Sequence, residues 1–163
     1  GDVFDSTRKT DSRFLVNLRP CGGELPERFA ETLGSAQTRQ GSRTPGPHYL
    51  GVALAEEDER LMSEMIGRGQ LPEMPVERVR SLGDAVRVWS GAVGAAGMRL
   101  HFAVLSVMAR VPLVAVPYDP KVESFAEAHG VPLWRGGPLP LPVAAEFPAS
   151  AREELDVFCR NGV

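Results

Sequence analysis

Short apolar runs alternate with stretches of helical periodicity along most of this chain. Phe14-Leu15-Val16-Asn17-Leu18 is rich in strand formers and is stopped by Arg19-Pro20 and Gly22-Gly23. Over 24–33, Leu25, Phe29, Ala30 and Leu33 recur near helical spacing with Pro26 in the first turn, which predicts a helix. Residues 34–47 are dominated by Ser, Thr, Gln, Arg, Gly and Pro and read as a loop. A second strand is predicted over 49–54. Glu56-Glu57-Asp58-Glu59, then Leu61, Met62, Met65 and Ile66, then Gly67 and Gly69, form a helix signature with acids in the first turn and glycine at the far end. Residues 76–79 predict a short strand, and 81–89 a helix with Ser81 as N-cap and Asp84 three positions on. The small-residue run 92–97 ends in Gly97 and reads as a strand. The stretch 99–109 is nearly apolar all round, the mark of a buried helix. Leu113-Val114-Ala115-Val116 is a continuous apolar strand of the kind parallel sheets bury on both faces. A helix over 120–129 has Pro at its start and Gly130 after its end. Residues 136–143 are rich in Gly and Pro, and 150–159 predicts a final amphipathic helix.

Strands alternating with helices define βαβ units, so the expected class is α/β, with a Rossmann-like parallel sheet flanked by helices. Residues 1–12 are polar and charged and read as a linker or frayed terminus, which leaves 13–163 as a single domain. With 43% apolar and 24% charged residues the chain has enough apolar side chains for a packed core. A net charge of −3 argues against a general nucleic-acid binder, so local positive charge must carry any anion binding. No apolar run approaches the roughly 20 residues that span a bilayer. Cys21 and Cys159 match no metal-ligand spacing and read most simply as two reduced thiols of a cytoplasmic protein.

In an open parallel sheet, ligands bind beyond the carboxyl ends of the strands. Three predicted strand ends carry cations: Arg19 after the first, Arg99 and His101 after the 92–97 run, and Lys121 after the 113–116 run. Arg99 and His101 also open a helix, where unsatisfied backbone N–H groups favour an anion. Lys121 lies in the first turn of its helix, against the dipole preference. Each residue alone has a plainer reading: Arg99 pairs with an acid such as Asp84 or Asp119, His101 is a satisfied core histidine, and Lys121 is solvated. Asp119-Pro120 reads as N-cap and first helical residue. Trp89 and Trp134 read as packing residues, Met62, Met65 and Met108 as core filler, and His48 and His129 as surface residues. The 56–59 acids read as a solvated helix start and not as a metal site, because four adjacent acids cannot face one ion.

Gly97-Met98-Arg99-Leu100-His101, the apolar helix, Val111-Pro112-Leu113-Val114 and then Tyr118-Asp119-Pro120-Lys121-Val122 together resemble the polysaccharide pyruvyl transferases, and among them those that pyruvylate bacterial secondary cell-wall polymers. The likeness runs from about Phe14 to about Pro132, with Asn17-Leu18-Arg19-Pro20 similar to the family's Leu-Arg-Pro strand end. It implies the C-terminal, donor-side half of a two-domain enzyme with GT-B architecture, the N-terminal acceptor domain being absent from this chain. The implied reaction transfers a pyruvyl group from phosphoenolpyruvate to two hydroxyls of a sugar, an N-acetylmannosamine unit on a lipid-linked cell-wall saccharide. No cofactor or metal is implied, and the expected location is cytoplasmic, with a peripheral position at the inner face of the cell membrane as a further option. The resemblance assigns Arg99 to the donor phosphate or carboxylate and His101 to proton transfer. Lys121 would stabilise charge, Leu100 would supply packing or backbone contacts, and Arg19 is a fourth anion ligand. The competing expectation is a GT-B glycosyltransferase domain with a nucleotide-sugar donor, which needs an acid near a strand end for the ribose; Glu123 is the available candidate. A non-catalytic sugar-recognition or assembly module is the third reading.

Overall fold

The computed structural model describes residues 13–39 and 48–145, so the expected linker 1–12, part of the expected loop (40–47), Cys159 and the helix over 150–159 lie outside the described residues. Five strands, β1 (Arg13–Asn17), β2 (His48–Ala53), β3 (Val76–Arg78), β4 (Gly94–Gly97) and β5 (Leu113–Ala115), alternate with five helices. These are α1 (Leu25–Arg39), α2 (Glu56–Gly67), α3 (Leu82–Trp89), α4 (Leu100–Met108) and α5 (Pro120–His129). All strand pairs are parallel and the order across the sheet is β3-β2-β1-β4-β5. The fold is therefore α/β and Rossmann-like. The chain winds outward to β3, then returns past β1 to lay down β4, so the strand order reverses between β1 and β4. In sheets of this kind ligands bind at the point of that reversal.

β1, β2, β4 and β5 are largely buried on both faces, while the edge strand β3 is only partly buried, and the alternation along the strands sorts residues between two cores. Phe14 and Val16 pack with Phe29, Leu33, Met62 and Trp134 on the α1–α2 side. Leu15 packs with Val52, Ala95, Phe102 and Leu105 on the α3–α5 side. β4 is made only of Gly and Ala because neighbouring rings occupy the space its side chains would need. A Cβ at Gly94 would meet the Phe14 ring at 2.6 Å, and one at Gly97 would meet the Phe102 ring at 2.4 Å and the Asn17 Cβ at 2.9 Å.

Several local features follow the sequence closely. Ser81 caps α3, its Oγ accepting from the Asp84 N–H at 3.1 Å. Asp119 caps α5 by accepting from the Lys121 N–H at 2.8 Å, and Gly130 ends that helix in the left-handed conformation at φ 66°. Trp89 and Trp134 are buried packing residues; their indole N–H groups donate to Ser106 Oγ and the Gly137 carbonyl. Met62 and Met65 lie in the core.

Other features differ. α1 continues to Arg39 where a loop was expected from residue 34. Ala36, Gln37 and Arg39 are good helix formers, but they lack the apolar period that reveals a helix. His129 is half-buried against the Phe125 ring, with centroids 4.6 Å apart, instead of lying on the surface. The Gly/Pro-rich segment has a structural use. Leu133 and Val143 pair with Ala115 and Leu113, so the tail covers the outer edge of β5. Trp134 stacks edge-on against Phe29 of α1 at 5.2 Å. Gly136 and Gly137, at φ 112° and 76°, turn the chain beside that contact.

The packing around β4 predicts that Gly97→Ala lowers the unfolding free energy by about 1–3 kcal/mol, the usual cost of overpacking. Gly22→Ala, in open space, should stay within about 0.5 kcal/mol of the parent. Urea denaturation of both variants checks this; equal stabilities would contradict the close approach.

Candidate anion-binding edge at the strand reversal

The centre of this edge is a buried polar network. Asn17, the last residue of β1, is fully buried, and its Nδ2 donates to the Val52 carbonyl at 2.9 Å and to Asp58 Oδ2 at 3.3 Å. Its Oδ1 accepts from the Arg99 backbone N–H at 3.0 Å, and its carbonyl accepts from Met98 N at 3.1 Å. Asp58, in the first turn of α2, is also fully buried. Arg99 grips it with two parallel donations, Nε to Oδ2 and Nη2 to Oδ1, each at 2.7 Å. The planar guanidinium fork matches a carboxylate in this way. Leu54 N adds a further donation to Asp58 Oδ2 at 3.2 Å. Arg99 Nη2 also donates to Glu57 Oε1 at 2.6 Å. One network thus ties together the ends of β1 and β2, the start of α2 and the β4–α4 turn.

This arrangement corrects two expectations. The 56–59 acids are not uniformly solvated, since Asp58 lies in the interior. Arg99 does form an ion pair, but with Asp58 and Glu57 instead of Asp84 or Asp119. Asp84 is occupied with the Arg80 N–H and Arg87, and Asp119 with its helix cap. Among the described residues the hydrogen bonds of the Arg99 side chain come from Nε and Nη2, and Nη1 makes none. The opposing carboxylates hold the Arg99 pKa above its usual range, Asp58 contributing most.

Around this network lie the other expected residues. Arg99 is the N-cap of α4 and makes no side-chain cap, so the first-turn N–H groups of that helix face the edge without an intrahelical partner. Leu100, the first helical residue, packs against the α3–α5 core. His101 follows, half-buried; burial pushes its pKa below the ordinary 6.5, and the Arg99 charge pushes it further the same way. Arg19 Nη1 donates to the Tyr118 hydroxyl at 2.7 Å, with the guanidinium 4.4 Å from the ring centroid. That contact spans β4 and joins the end of β1 to the segment after β5. Lys121 is exposed at the start of α5. Cys21 is a free, half-buried thiol whose pKa is raised chiefly by burial, with Arg19 opposing. Glu123, the candidate ribose ligand, is held by Arg135 at 2.6 Å. Two clefts of about 310 and 600 Å³ border α1, one against Trp134 and Gly137 and one against 69–72; neither includes an expected site residue.

Asn17 and Asp58 were missed as members of this edge, although both left a trace in the sequence. A buried central strand tolerates an asparagine only if its amide is satisfied. Asp58 shares the i, i+4, i+7 stripe with Met62 and Met65, which is the buried face of α2.

No family model and no curated protein matches the chain. A solved structure described as "Crystal structure of GtfA/B complex" is similar at a TM-score of 0.45 and 16% sequence identity, over 97% of this chain and 31% of that one. The chain thus spans less than a third of that neighbour's length.

The environment of His101 makes a pH prediction. Its folded pKa lies below the unfolded value, so the unfolded chain binds more protons, and stability falls as pH drops from 6.5 through the folded pKa. An NMR titration should place the His101 midpoint below 6.5, and His101→Gln should reduce the slope of stability against pH in that window. A midpoint at or above 6.5 would contradict the burial and the Arg99 effect.

Proposed function

We propose that this domain is the donor side of a transferase and that its donor is phosphoenolpyruvate, as in the polysaccharide pyruvyl transferases that its two motifs resemble. The observation that supports this most is the Arg19–Tyr118 contact at 2.7 Å. It brings the first strand end and the Tyr118–Lys121 motif to the same sheet edge as the Gly97–His101 motif, with β4 between them. Phosphoenolpyruvate carries a phosphate and a carboxylate, and the edge offers Arg19, Lys121, the outer nitrogen of Arg99 and the first turn of α4 to bind them.

A lowered pKa leaves His101 neutral near pH 7, in the form that accepts a proton. It would take the proton of a sugar hydroxyl as that oxygen adds to C2 of the donor and pass it to the methylene carbon, which becomes a methyl group. A second hydroxyl then closes the ketal at C2 and inorganic phosphate leaves. The acceptor in this reading is a lipid-linked cell-wall saccharide bearing N-acetylmannosamine, presented by an N-terminal partner domain at the inner face of the membrane. A nucleotide-sugar donor would use the same edge, with Glu123, held only by an exposed pair with Arg135, as the acid for its ribose.

The test is thermal protection of the chain. Phosphoenolpyruvate at tenfold its Kd should stabilise the fold by about 1.4 kcal/mol, and Arg19→Ala and Lys121→Ala should each weaken that protection. Saturable protection by a uridine diphosphate sugar, not competed by phosphoenolpyruvate, would favour the glycosyltransferase reading instead. No protection at millimolar phosphoenolpyruvate would count against pyruvyl transfer.

A further inference from the structure

We propose that the two carboxylates on Arg99 have different tasks, Asp58 holding the arginine permanently and Glu57 standing in for the ligand's anionic group until that group displaces it. This rests on the reading of the strand-reversal edge as an anion site. Asp58 is wholly buried and accepts from Arg99 Nε, Arg99 Nη2, Asn17 Nδ2 and Leu54 N. It cannot leave without exposing a charged arginine to an unpaired, largely desolvated position. The side chain of Glu57 is 53% exposed, and among the described residues it is held by Arg99 Nη2 alone, at 2.6 Å. Breaking that contact costs little, because Glu57 returns to water while Arg99, whose side chain is only 18% exposed, keeps its pair with Asp58.

The neighbouring acids are engaged elsewhere: Glu56 with Arg60 on its own helix, and Glu59 with Arg78 of β3. Glu57 alone among the exposed acids of this run reaches across to the α4 turn. Its carboxylate has the charge and the oxygen geometry of a donor carboxylate, and it sits on the accessible edge of the guanidinium. In the unliganded protein it neutralises that edge. When an anionic group binds, Glu57 turns to solvent, and the Arg99–Asp58 pair keeps the start of α4 in place. Glu57 therefore lowers anion affinity by competing for Arg99.

The experiment titrates the full chain, as wild type, Glu57→Gln and Glu56→Gln, with phosphoenolpyruvate and with inorganic phosphate, reading Kd by calorimetry and the unfolding midpoint in parallel. Glu56→Gln removes the same charge from the same helix turn but not from Arg99, so it controls for net charge. The expected result is binding about two- to fivefold tighter in Glu57→Gln than in Glu56→Gln, the equivalent of one exposed ion pair, with the unfolding midpoint unchanged. A Kd for Glu57→Gln equal to or weaker than that of Glu56→Gln overturns the proposal, as does an absence of anion binding in every form. The probes separate this from the donor reading. Tighter binding of both probes without preference for phosphoenolpyruvate supports the displacement and counts against pyruvyl transfer. Preferred but unchanged phosphoenolpyruvate binding does the reverse.

Discussion

A carboxylate with no exposed surface, Asp58, sets the terms for the rest of this domain. Burying such a charge costs several kcal/mol unless it is paired and its oxygens are hydrogen-bonded. Asp58 meets both conditions only if four pieces of chain arrive together: the end of β1 with Asn17, the end of β2 with Leu54, the first turn of α2, and the turn from β4 into α4 with Arg99. These pieces flank the point where strand order reverses, where parallel sheets usually leave a gap. The network fills the floor of that gap and fixes the direction in which α4 begins.

The apolar architecture cooperates with this constraint. β4 can lie close to β1 and α4 because it carries no side chain larger than methyl, so Phe102 packs over Gly97 and Met98 N reaches the Asn17 carbonyl. α4 itself is almost wholly apolar; its charge-bearing residues are Arg99, its N-cap, and His101 at its start, and its one further polar residue, Ser106, is buried and bonded to Trp89 and the Phe102 carbonyl. The helix is thus anchored by burial along its length and by charge at one end. His101 is half-buried beside the Arg99 charge, and burial first and that charge second lower its pKa. Arg19 and Tyr118 close the edge from the other side of β4.

The strands and helices were legible because their apolar periods are strong and their ends are punctuated, as at Ser81, Asp119, Pro120 and Gly130. The parallel order could be inferred from the βαβ alternation, and with it the placing of Arg19, Arg99 and Lys121 after the neighbouring strands β1, β4 and β5. The last turns of α1 were not legible, since polar helix formers without an apolar stripe look like loop. The partner of Arg99 was not legible either. Asp58 lies 41 positions away in a run of four acids, and only its place on the Met62–Met65 stripe sets it apart. The Arg19–Tyr118 contact bridges 99 positions and comes from topology alone. Local rules therefore gave the elements and the edge, while the pairings across that edge came from tertiary structure.

The most direct test of this account is a double-mutant cycle between Asp58 and Arg99, measured as unfolding free energy in urea for the parent, Asp58→Ala, Arg99→Ala and the double variant. Each single variant leaves a largely desolvated charge without its partner and should cost about 3–5 kcal/mol. The double variant removes both charges and should cost clearly less than the sum, with a coupling above about 1.5 kcal/mol. Costs that add to within about 0.5 kcal/mol would show that the two residues act independently, and would contradict the pair as the element that holds the start of α4.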